Sequence, residues 1–275
     1  MSKPLRVLSF GVGVQSSTLA LMAAYGDIAP IDAAIFGDTQ RERKKTYRWL
    51  KWMKSKIARS PHPFPVYEVS RGDLEQGATH IRRTRDGERT YIETAIPVFL
   101  IDGLKRGMGQ RHCTRDFKVA MVERKTRELL GLRRVTQSQG VLVEMLIGIS
   151  TDEALRMKPS RQPWITTSWP LIEEKRMSRA DCETWLLKRY RRIAPRSSCI
   201  WCPFHSDDEW LDLGPDEFQE AIRFEKKLQR AYRSTTQIES IPYLHSSRIP
   251  LAKVKLERGK GKEKFTNECE GMCGV

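Results

Sequence analysis

The sequence predicts an α/β fold in which helices cover both faces of a mostly parallel, Rossmann-like sheet, followed by a small, basic, cysteine-containing C-terminal region. Three observations support this prediction. Strand-like and helix-like segments alternate over the first two-thirds of the chain. The longest apolar run, residues 141–149, is typical of a central strand that is covered on both faces. A glycine-containing turn, residues 9–18, joins the first strand-like segment to the first helix-like segment.

The alternating segments fall into two sets. Short apolar runs predict strands, and apolar residues at helical spacing predict helices. The predicted strands are residues 5–10, 31–36, 65–69 and 141–149, and the predicted helices are residues 17–25, 46–57, 118–130 and 178–190. Ser178 is the expected N-cap of the last helix, and Cys182 is expected on its buried face. Because strands alternate with helices, we expect right-handed crossovers and a parallel sheet.

Two regions depart from this alternation. Residues 71–111 are polar and rich in arginine, which predicts an insertion or mobile loop within a first domain of residues 1–190. Residues 191–275 form the predicted C-terminal region. One further helix is expected there, at residues 215–232, and it begins directly after Gly214.

The chain is strongly basic, with a formal net charge of +15 at pH 7. The excess lies in four runs, residues 41–45, 82–85, 188–196 and 253–264. A basic surface attracts polyanions, so a nucleic acid (tRNA or DNA) is an expected partner; the alternative is a solvated surface that serves solubility. No apolar run approaches the roughly 20 residues of a membrane span. We therefore expect no membrane partner and a cytoplasmic location.

The turn between the first strand and the first helix reads Ser-Phe-Gly-Val-Gly-Val-Gln-Ser-Ser-Thr. Such turns bind phosphates, because backbone N–H groups converge there and the helix N-terminus adds positive potential. Gly11 and Gly13 would allow close approach of the backbone, and Ser16 and Ser17 carry hydroxyl donors. The turn lacks the Gly-Lys-Ser/Thr of a Walker loop and the third glycine of a dinucleotide fingerprint. The alternative is a tight turn with capping hydroxyls.

Four further motifs follow in order. They are Phe-Gly-Asp-Thr-Gln at 36–40, Arg-His-Cys-Thr-Arg-Asp-Phe-Lys at 111–118, Gly-Ile-Ser-Thr-Asp-Glu-Ala-Leu-Arg at 148–156 and Pro-Leu-Ile at 170–172. Over roughly residues 5–205 this set resembles the PP-loop ATP pyrophosphatase superfamily and, within it, the phosphoadenosine-phosphosulfate reductase family. The resemblance implies a PP-loop fold that binds an adenine nucleotide, either ATP or phosphoadenosine phosphosulfate.

The resemblance also implies roles for particular residues. The residues expected to bind the nucleotide are Ser9, Gly11, Gly13, Gln15, Ser16, Ser17, Asp38, Thr39 and Arg156. Asp38 and Thr39 are expected to contact its adenosine part, and Arg156 to meet a phosphate or sulfate. The expected catalytic set is Cys113, Lys118 and Arg111, in which the cations meet phosphate or sulfate. The sequence departs from the family where Gln15 replaces an aspartate and Val12 a glycine. Gln40 and Ala154 likewise replace a glycine and a serine.

Two pairs of cysteines stand far apart in the chain, Cys199 with Cys202 and Cys269 with Cys273. In a reducing compartment such pairs favour a metal site, so a [4Fe–4S] cluster is expected, with zinc as the alternative. The site would also hold the polar C-terminal stretch to the body. Buried thiols without a ligand are the other interpretation, and His205 is an alternative ligand that would favour zinc. Iron–sulfur reductases of the resembled family pair a Cys-x-x-Cys with a Cys-Cys in the arginine segment, where this chain has His112-Cys113. The resemblance therefore leaves one of Cys113, Cys269 and Cys273 outside a four-ligand site.

Three functions are consistent with these patterns. The first is ATP-dependent thiolation of a nucleic acid through adenylation and pyrophosphate release, with sulfur delivered by a cluster or by a thiolate such as Cys113. The second is a sulfonucleotide reductase, in which a C-terminal thiolate attacks the sulfate sulfur. The third is a nucleotide-sensing, nucleic-acid-binding protein without turnover, which the replacement at Gln15 leaves open.

Overall fold

The computed structural model describes residues 3–132, 140–236 and 240–259. The strands are β1 (Leu5–Ser9), β2 (Ala33–Asp38), β3 (Val66–Ser70), β4 (Ile81–Arg83), β5 (Thr90–Ile92), β6 (Phe99–Asp102), β7 (Lys105–Met108), β8 (Val143–Ile147), β9 (Ile165–Ser168) and β10 (Ile241–Tyr243). The helices are α1 (Val14–Tyr25), α2 (Lys44–Ala58), α3 (Leu74–Thr79), α4 (His112–Thr114), α5 (Ala120–Leu129), α6 (Pro170–Glu173), α7 (Arg179–Tyr190), α8 (Asp207–Leu211) and α9 (Pro215–Arg233).

Five parallel strands form the central sheet, in the order β3-β2-β1-β8-β9. Val7 of β1 is in register with Ala33 of β2 on one side and with Met145 of β8 on the other. The chain therefore builds outward from β1 in one direction and then in the other, so the sheet has its topological switch point beside β1. In such sheets ligands bind outside the carboxyl ends of the strands at this point.

Helices cover both faces of this sheet, as the sequence predicts. On one face α1, α2 and α7 pack on alternate strand residues such as Leu8 and Phe36. On the other face Val122 of α5 packs against Val7 and Met145. This arrangement confirms the α/β architecture and is consistent with a Rossmann-like fold.

The predicted helices form with small shifts at their ends. The first begins at Val14, three residues before the predicted start, because Gly13 occupies the extended N-cap position. Ser178 caps α7 as expected: its hydroxyl accepts from the Asp181 backbone N–H, and the Asp181 carboxylate accepts from the Ser178 backbone N–H. Cys182 is fully buried. The helix predicted at residues 118–130 begins as a π-helical turn, Arg115–Val119, and continues as α5.

A second layer contains elements that the alternation did not predict. Residues 71–111, expected as an insertion or loop, form α3 and two hairpins, β4–β5 and β6–β7, and β10 adds a strand to the latter. Their apolar side chains share one core with α8, α9 and residues 200–213. The division at residue 190 remains a prediction. Across the residues that the structure describes, every helix is too short or too polar to span a membrane.

Candidate functional site

The turn between β1 and α1 contains a strained residue. Val12 has φ of 63° and is completely buried. A β-branched side chain in this left-handed region is an outlier that costs about 1–3 kcal/mol. The resemblance places a glycine at this position, and glycine adopts such a φ without the cost. The turn therefore keeps a left-handed backbone at this position despite an unfavourable residue.

Two hydroxyls of this loop have no hydrogen-bond partner among the described residues, those of Ser9 and Ser16, although both are buried. Ser17 differs, since its Oγ accepts a hydrogen bond of 2.9 Å from Trp49 Nε1. A buried polar group without a partner costs about 1–3 kcal/mol, so such groups require an explanation. A bound phosphate would accept hydrogen bonds from both hydroxyls.

Gln15 connects the loop to the turn that follows β8. Its Nε2 donates to Glu153 Oε2 at 2.9 Å and to Ser150 Oγ at 3.3 Å. The other carboxylate oxygen of Glu153 pairs with Arg156 Nη1 at 2.5 Å. An aspartate at position 15 would face the carboxylate of Glu153, so glutamine suits this neighbour. Arg156, predicted to meet phosphate, is thus linked to the loop through Glu153.

Gly148 lies where β8 ends against the first turn of α1. A Cβ at this position would stand 2.7 Å from the backbone N and 3.0 Å from the Cα of Ser16. Even a methyl group would displace the helix N-terminus. The close contact explains why this motif residue is glycine, and it fixes the loop against the carboxyl edge of the sheet.

The end of β2 carries the residues predicted to contact adenosine. Asp38 Oδ1 accepts hydrogen bonds of 2.8 Å from Tyr47 Oη and from the Gln40 backbone N–H. Burial raises the pKa of Asp38, and these hydrogen bonds oppose the rise. Thr39 Oγ1 donates to Glu42 Oε1 at 3.2 Å. Both side chains are thus held in place at the carboxyl end of β2.

A buried ion pair lies next to Thr39. Lys118 Nζ is 2.9 Å from Glu42 Oε1, and their side chains are 4% and 0% exposed. The remaining oxygen of Glu42 has no hydrogen-bond partner among the described residues. Lys118, predicted to be catalytic, therefore balances a buried carboxylate at the edge of the predicted adenosine site.

Three thiols line one small pocket, which we call the thiol pocket: those of Cys113, Cys199 and Cys202. Arg111, Lys118, Thr39 and Glu42 line the same pocket. Residues 199–202, which we call the knuckle, carry Cys199 and Cys202. A 2.8 Å hydrogen bond from the Ile200 backbone N–H to the Arg41 carbonyl joins the knuckle to the segment that follows β2. The structure thus brings the predicted catalytic set together with half of the predicted metal ligands.

The metal prediction is only partly addressed by the described residues. A [4Fe–4S] cluster takes four cysteine thiolates. Within residues 3–132, 140–236 and 240–259, no group of three or more Cys, His, Asp or Glu side chains is arranged to hold a metal ion. Cys269 and Cys273 lie outside these residues. The described thiols alone do not form the predicted four-ligand site, and no reaction step is derived from it.

The pKa of one thiol of the knuckle and that of the nearby imidazole are both shifted. The pKa of the Cys199 thiol is raised well above its usual value, mainly by a hydrogen bond with Cys202 and secondly by burial. The alternative ligand His205 is buried, and its Nε2 lies 3.0 Å from Ser198 Oγ. Burial, followed by the charges of Arg43, Arg196 and Lys45, lowers the pKa of His205 well below its usual range. Metal binding would require both thiols to lose their protons.

Sequence reasoning missed two acidic residues of this edge, Glu42 and Glu153. Glu42 is the one acidic residue in the basic run 41–45, and that isolation is a signal of pairing. The run itself does not form an open basic surface. Arg41 pairs with Asp73 and with Glu220, and Arg43 is 1% exposed.

No family model, curated protein or solved structure matches this chain.

Proposed function

We propose that this protein is an adenine-nucleotide-binding enzyme that transfers sulfur to a nucleic acid at the expense of ATP. One observation carries the proposal. The thiols of Cys113, Cys199 and Cys202 share a pocket with Lys118 and Thr39, at the same sheet edge as the phosphate-binding turn. A site that joins an ATP-binding edge to nucleophilic thiols suits adenylation followed by sulfur transfer.

In the proposed reaction, a carbonyl oxygen of a base attacks the α-phosphorus of ATP, and pyrophosphate leaves. The outer sulfur of a cysteine persulfide, which an external persulfide donor supplies, then attacks the adenylated carbon, a carbon–sulfur bond forms, and AMP departs with the original oxygen. A second thiol of the pocket attacks the inner sulfur, so the base keeps the outer sulfur and the two cysteines form a disulfide, which an external dithiol reduces before the next turnover. The N–H groups of the first turn of α1 and the hydroxyls of Ser9 and Ser16 are positioned to stabilise the leaving pyrophosphate.

Cys113 is the best candidate for the sulfur carrier. It lines the pocket together with two cations, Arg111 and Lys118, and a cationic surrounding stabilises a thiolate. It is also half-buried rather than enclosed. Cys199, by contrast, has a raised pKa that keeps it protonated.

The loop is closed in this conformation, because residues 10–18 are all buried. The turn after β8 is held to it through the hydrogen bond between Gln15 and Glu153. We infer that this turn moves when a nucleotide enters. Glu153 would then lose its hydrogen bond from Gln15, and Arg156 would contact a phosphate.

The exposed part of the basic run at residues 188–196 supports a nucleic acid as the second substrate. The guanidinium of Arg189 lies over the rings of Tyr25 and Trp185, and that of Arg192 lies over Trp52. Interleaved aromatic rings and cations are the usual surface for single-stranded nucleic acid.

The proposal is tested by pyrophosphate release from ATP by anaerobically purified protein that is supplied with a persulfide donor and a dithiol, with bulk tRNA, with DNA and with neither. We expect release that depends on one polymer. Cys113→Ser should release about one equivalent per protein and then stop, because adenylation does not need the thiol but turnover does. Cys182→Ala, which changes a core thiol, should turn over normally. Release that is absent with both polymers contradicts the proposal.

A sulfonucleotide reductase is the second candidate, because Arg111 and Lys118 stand beside Cys113 as cations that could receive a sulfate. Sulfite release from phosphoadenosine phosphosulfate, without need of a polymer, would favour it. A sensor without turnover would release neither product, and alanine at Cys113 would leave its nucleic-acid binding intact.

A further inference from the structure

A second cavity, of about 220 Å³, lies at the carboxyl ends of β8 and β9 on the α5 side of the sheet. We call it the basic cavity. Four cations line it together with one carboxylate and an indole: Arg115, Arg156, Lys158 and Arg161, with Glu123 and Trp169. Of the residues predicted to bind the nucleotide, all of which are described, only Arg156 lines it.

The basic cavity adjoins the phosphate-binding turn. Ile147 and Ile149 line it, and Gly148 lies between them. Gly148 packs so closely on the first turn of α1 that a Cβ there would be 2.7 Å from the backbone N of Ser16. A group bound in the cavity would therefore lie beside the place where the phosphates of ATP are expected.

The cavity is on the opposite side of β1 from the predicted adenosine site. The adenosine contacts, Asp38 and Thr39, follow β2, whereas the cavity follows β8 and β9, and the strand order is β3-β2-β1-β8-β9. ATP that rests on β2 and extends its phosphates over β1 would leave the basic cavity to another molecule.

The polar groups of the cavity are held in fixed positions. Gln162 Nε2 donates to Glu123 Oε2 at 3.1 Å, and Gln162 Oε1 accepts from Trp164 Nε1 at 3.3 Å. Gln162 thus holds one carboxylate oxygen of Glu123 in place, and the carboxylate can still accept a hydrogen bond from a ligand. Burial raises the pKa of Glu123, which agrees with its partly enclosed position.

We propose that the basic cavity receives one unstacked nucleobase of the nucleic acid substrate, with an N–H group of the base on Glu123, the ring against Trp169 and the flanking phosphates on Lys158 and Arg161. This inference rests on the proposed function. Pockets for drug-sized ligands span roughly 300–1,000 Å³, so the smaller volume here suits a single base. Enzymes that modify a base in a polynucleotide bind it outside the stack, by edge hydrogen bonds and stacking.

The test is calorimetric titration with CMP, UMP, GMP and AMP, each added to protein that is saturated with a non-hydrolysable ATP analogue. The variants are Glu123→Gln, which keeps the shape of the side chain, and the double variant Lys158→Ala/Arg161→Ala. The matched control is Lys105→Ala/Arg106→Ala, which removes the same charge from the exposed strand β7. Inorganic phosphate serves as the probe without a base.

We expect at least one nucleotide to bind the protein and the control variant, with affinity about tenfold lower for each cavity variant, as for the loss of a charged hydrogen bond. For bulk tRNA, the salt dependence of log affinity should fall by roughly 0.7–0.9 for each lost phosphate contact in Lys158→Ala/Arg161→Ala. Binding that is absent, unchanged in the cavity variants or equalled by inorganic phosphate would overturn the proposal.

These titrations need no turnover, so the two proposals can fail separately. Nucleotide binding that depends on Glu123, without pyrophosphate release in any assay, would reject the proposed function and retain the cavity as a base site. If pyrophosphate release depends on a polymer but Glu123→Gln binds nucleotides as the parent protein does, only the base site is rejected.

Discussion

The turn between β1 and α1, which is predicted to bind phosphate, and the thiol pocket lie at the same edge of the sheet but are built differently. The turn consists of consecutive residues, 9–18, between one strand and one helix. The thiol pocket is assembled from five separate parts of the chain: residues 39–42, Leu74, residues 96–97, residues 111–118 and residues 199–204. Local geometry thus determines the turn, whereas long-range contacts determine the pocket.

The two regions also differ in the kind of interaction that destabilises them. In the turn it is the left-handed backbone conformation of Val12. In the pocket it is electrostatic, because Glu42 and Lys118 are buried as an ion pair. Substitutions in the pocket should therefore affect stability more than substitutions in the turn, and the following variants test that difference.

The largest effect is expected for Lys118→Met. The substitution leaves the Glu42 carboxylate buried without its partner, which costs about 3–5 kcal/mol of unfolding free energy. Urea denaturation measures this change. Glu42→Gln/Lys118→Met should recover part of the loss, because no uncompensated charge remains.

Lys54→Met is the matched control for this variant. Lys54 pairs with Glu68 at 2.6 Å, but both side chains are more than 40% exposed, at 44% and 42%. Exposed pairs contribute about 0–1 kcal/mol. Equal losses in Lys54→Met and Lys118→Met would contradict the view that burial of the pair determines the stability of the pocket.

A smaller effect is expected from the titration of His205. Its pKa is lowered in the folded protein, so the unfolded chain binds a proton that the folded chain does not. The free energy of unfolding should therefore fall as the pH drops below about 6.5, by at most about 1.4 kcal/mol per pH unit. His205→Gln should remove this contribution, as measured by denaturation at pH 7.0 and 5.5.

His62→Gln, at an exposed histidine, is the control and should keep the pH dependence of the parent protein. If His205→Gln also keeps the pH dependence of the parent protein, then protonation of His205 does not cause the loss of stability at low pH. The view that a neutral imidazole is buried beside the knuckle would then be wrong.

The smallest effect is expected at the turn. Val12→Gly loses a buried side chain but relieves left-handed backbone strain of about 1–2 kcal/mol. Val7→Gly removes an equally buried valine from β1, where no strain is relieved. We expect Val12→Gly to cost about 1–2 kcal/mol less than Val7→Gly in thermal or urea unfolding. Equal costs would show that Val12 is not strained.

The same difference explains what the sequence could predict. The four predicted strands and the helices between them depend on local periodicity, and each formed within a few residues of its expected position. Strand β9 was missed because its sequence, Ile-Thr-Thr-Ser, is short and polar at the edge of the sheet. The grouping of Cys113 with the knuckle was indicated by the family resemblance and not by local periodicity, because 85 residues separate Cys113 from Cys199 and only the packing of the second layer joins them.

The most direct test of the account is a calorimetric titration of ATP into the protein and into Gly148→Ala. A Cβ at Gly148 would collide with the first turn of α1, whereas at Gly214, the control position, its nearest contact would be 3.9 Å away. We expect the parent protein and Gly214→Ala to bind ATP with the same affinity. We expect Gly148→Ala to bind ATP at least about tenfold more weakly, a loss of about 1.4 kcal/mol of binding free energy. ATP binding that is absent in the parent protein, or unchanged in Gly148→Ala, would contradict this account.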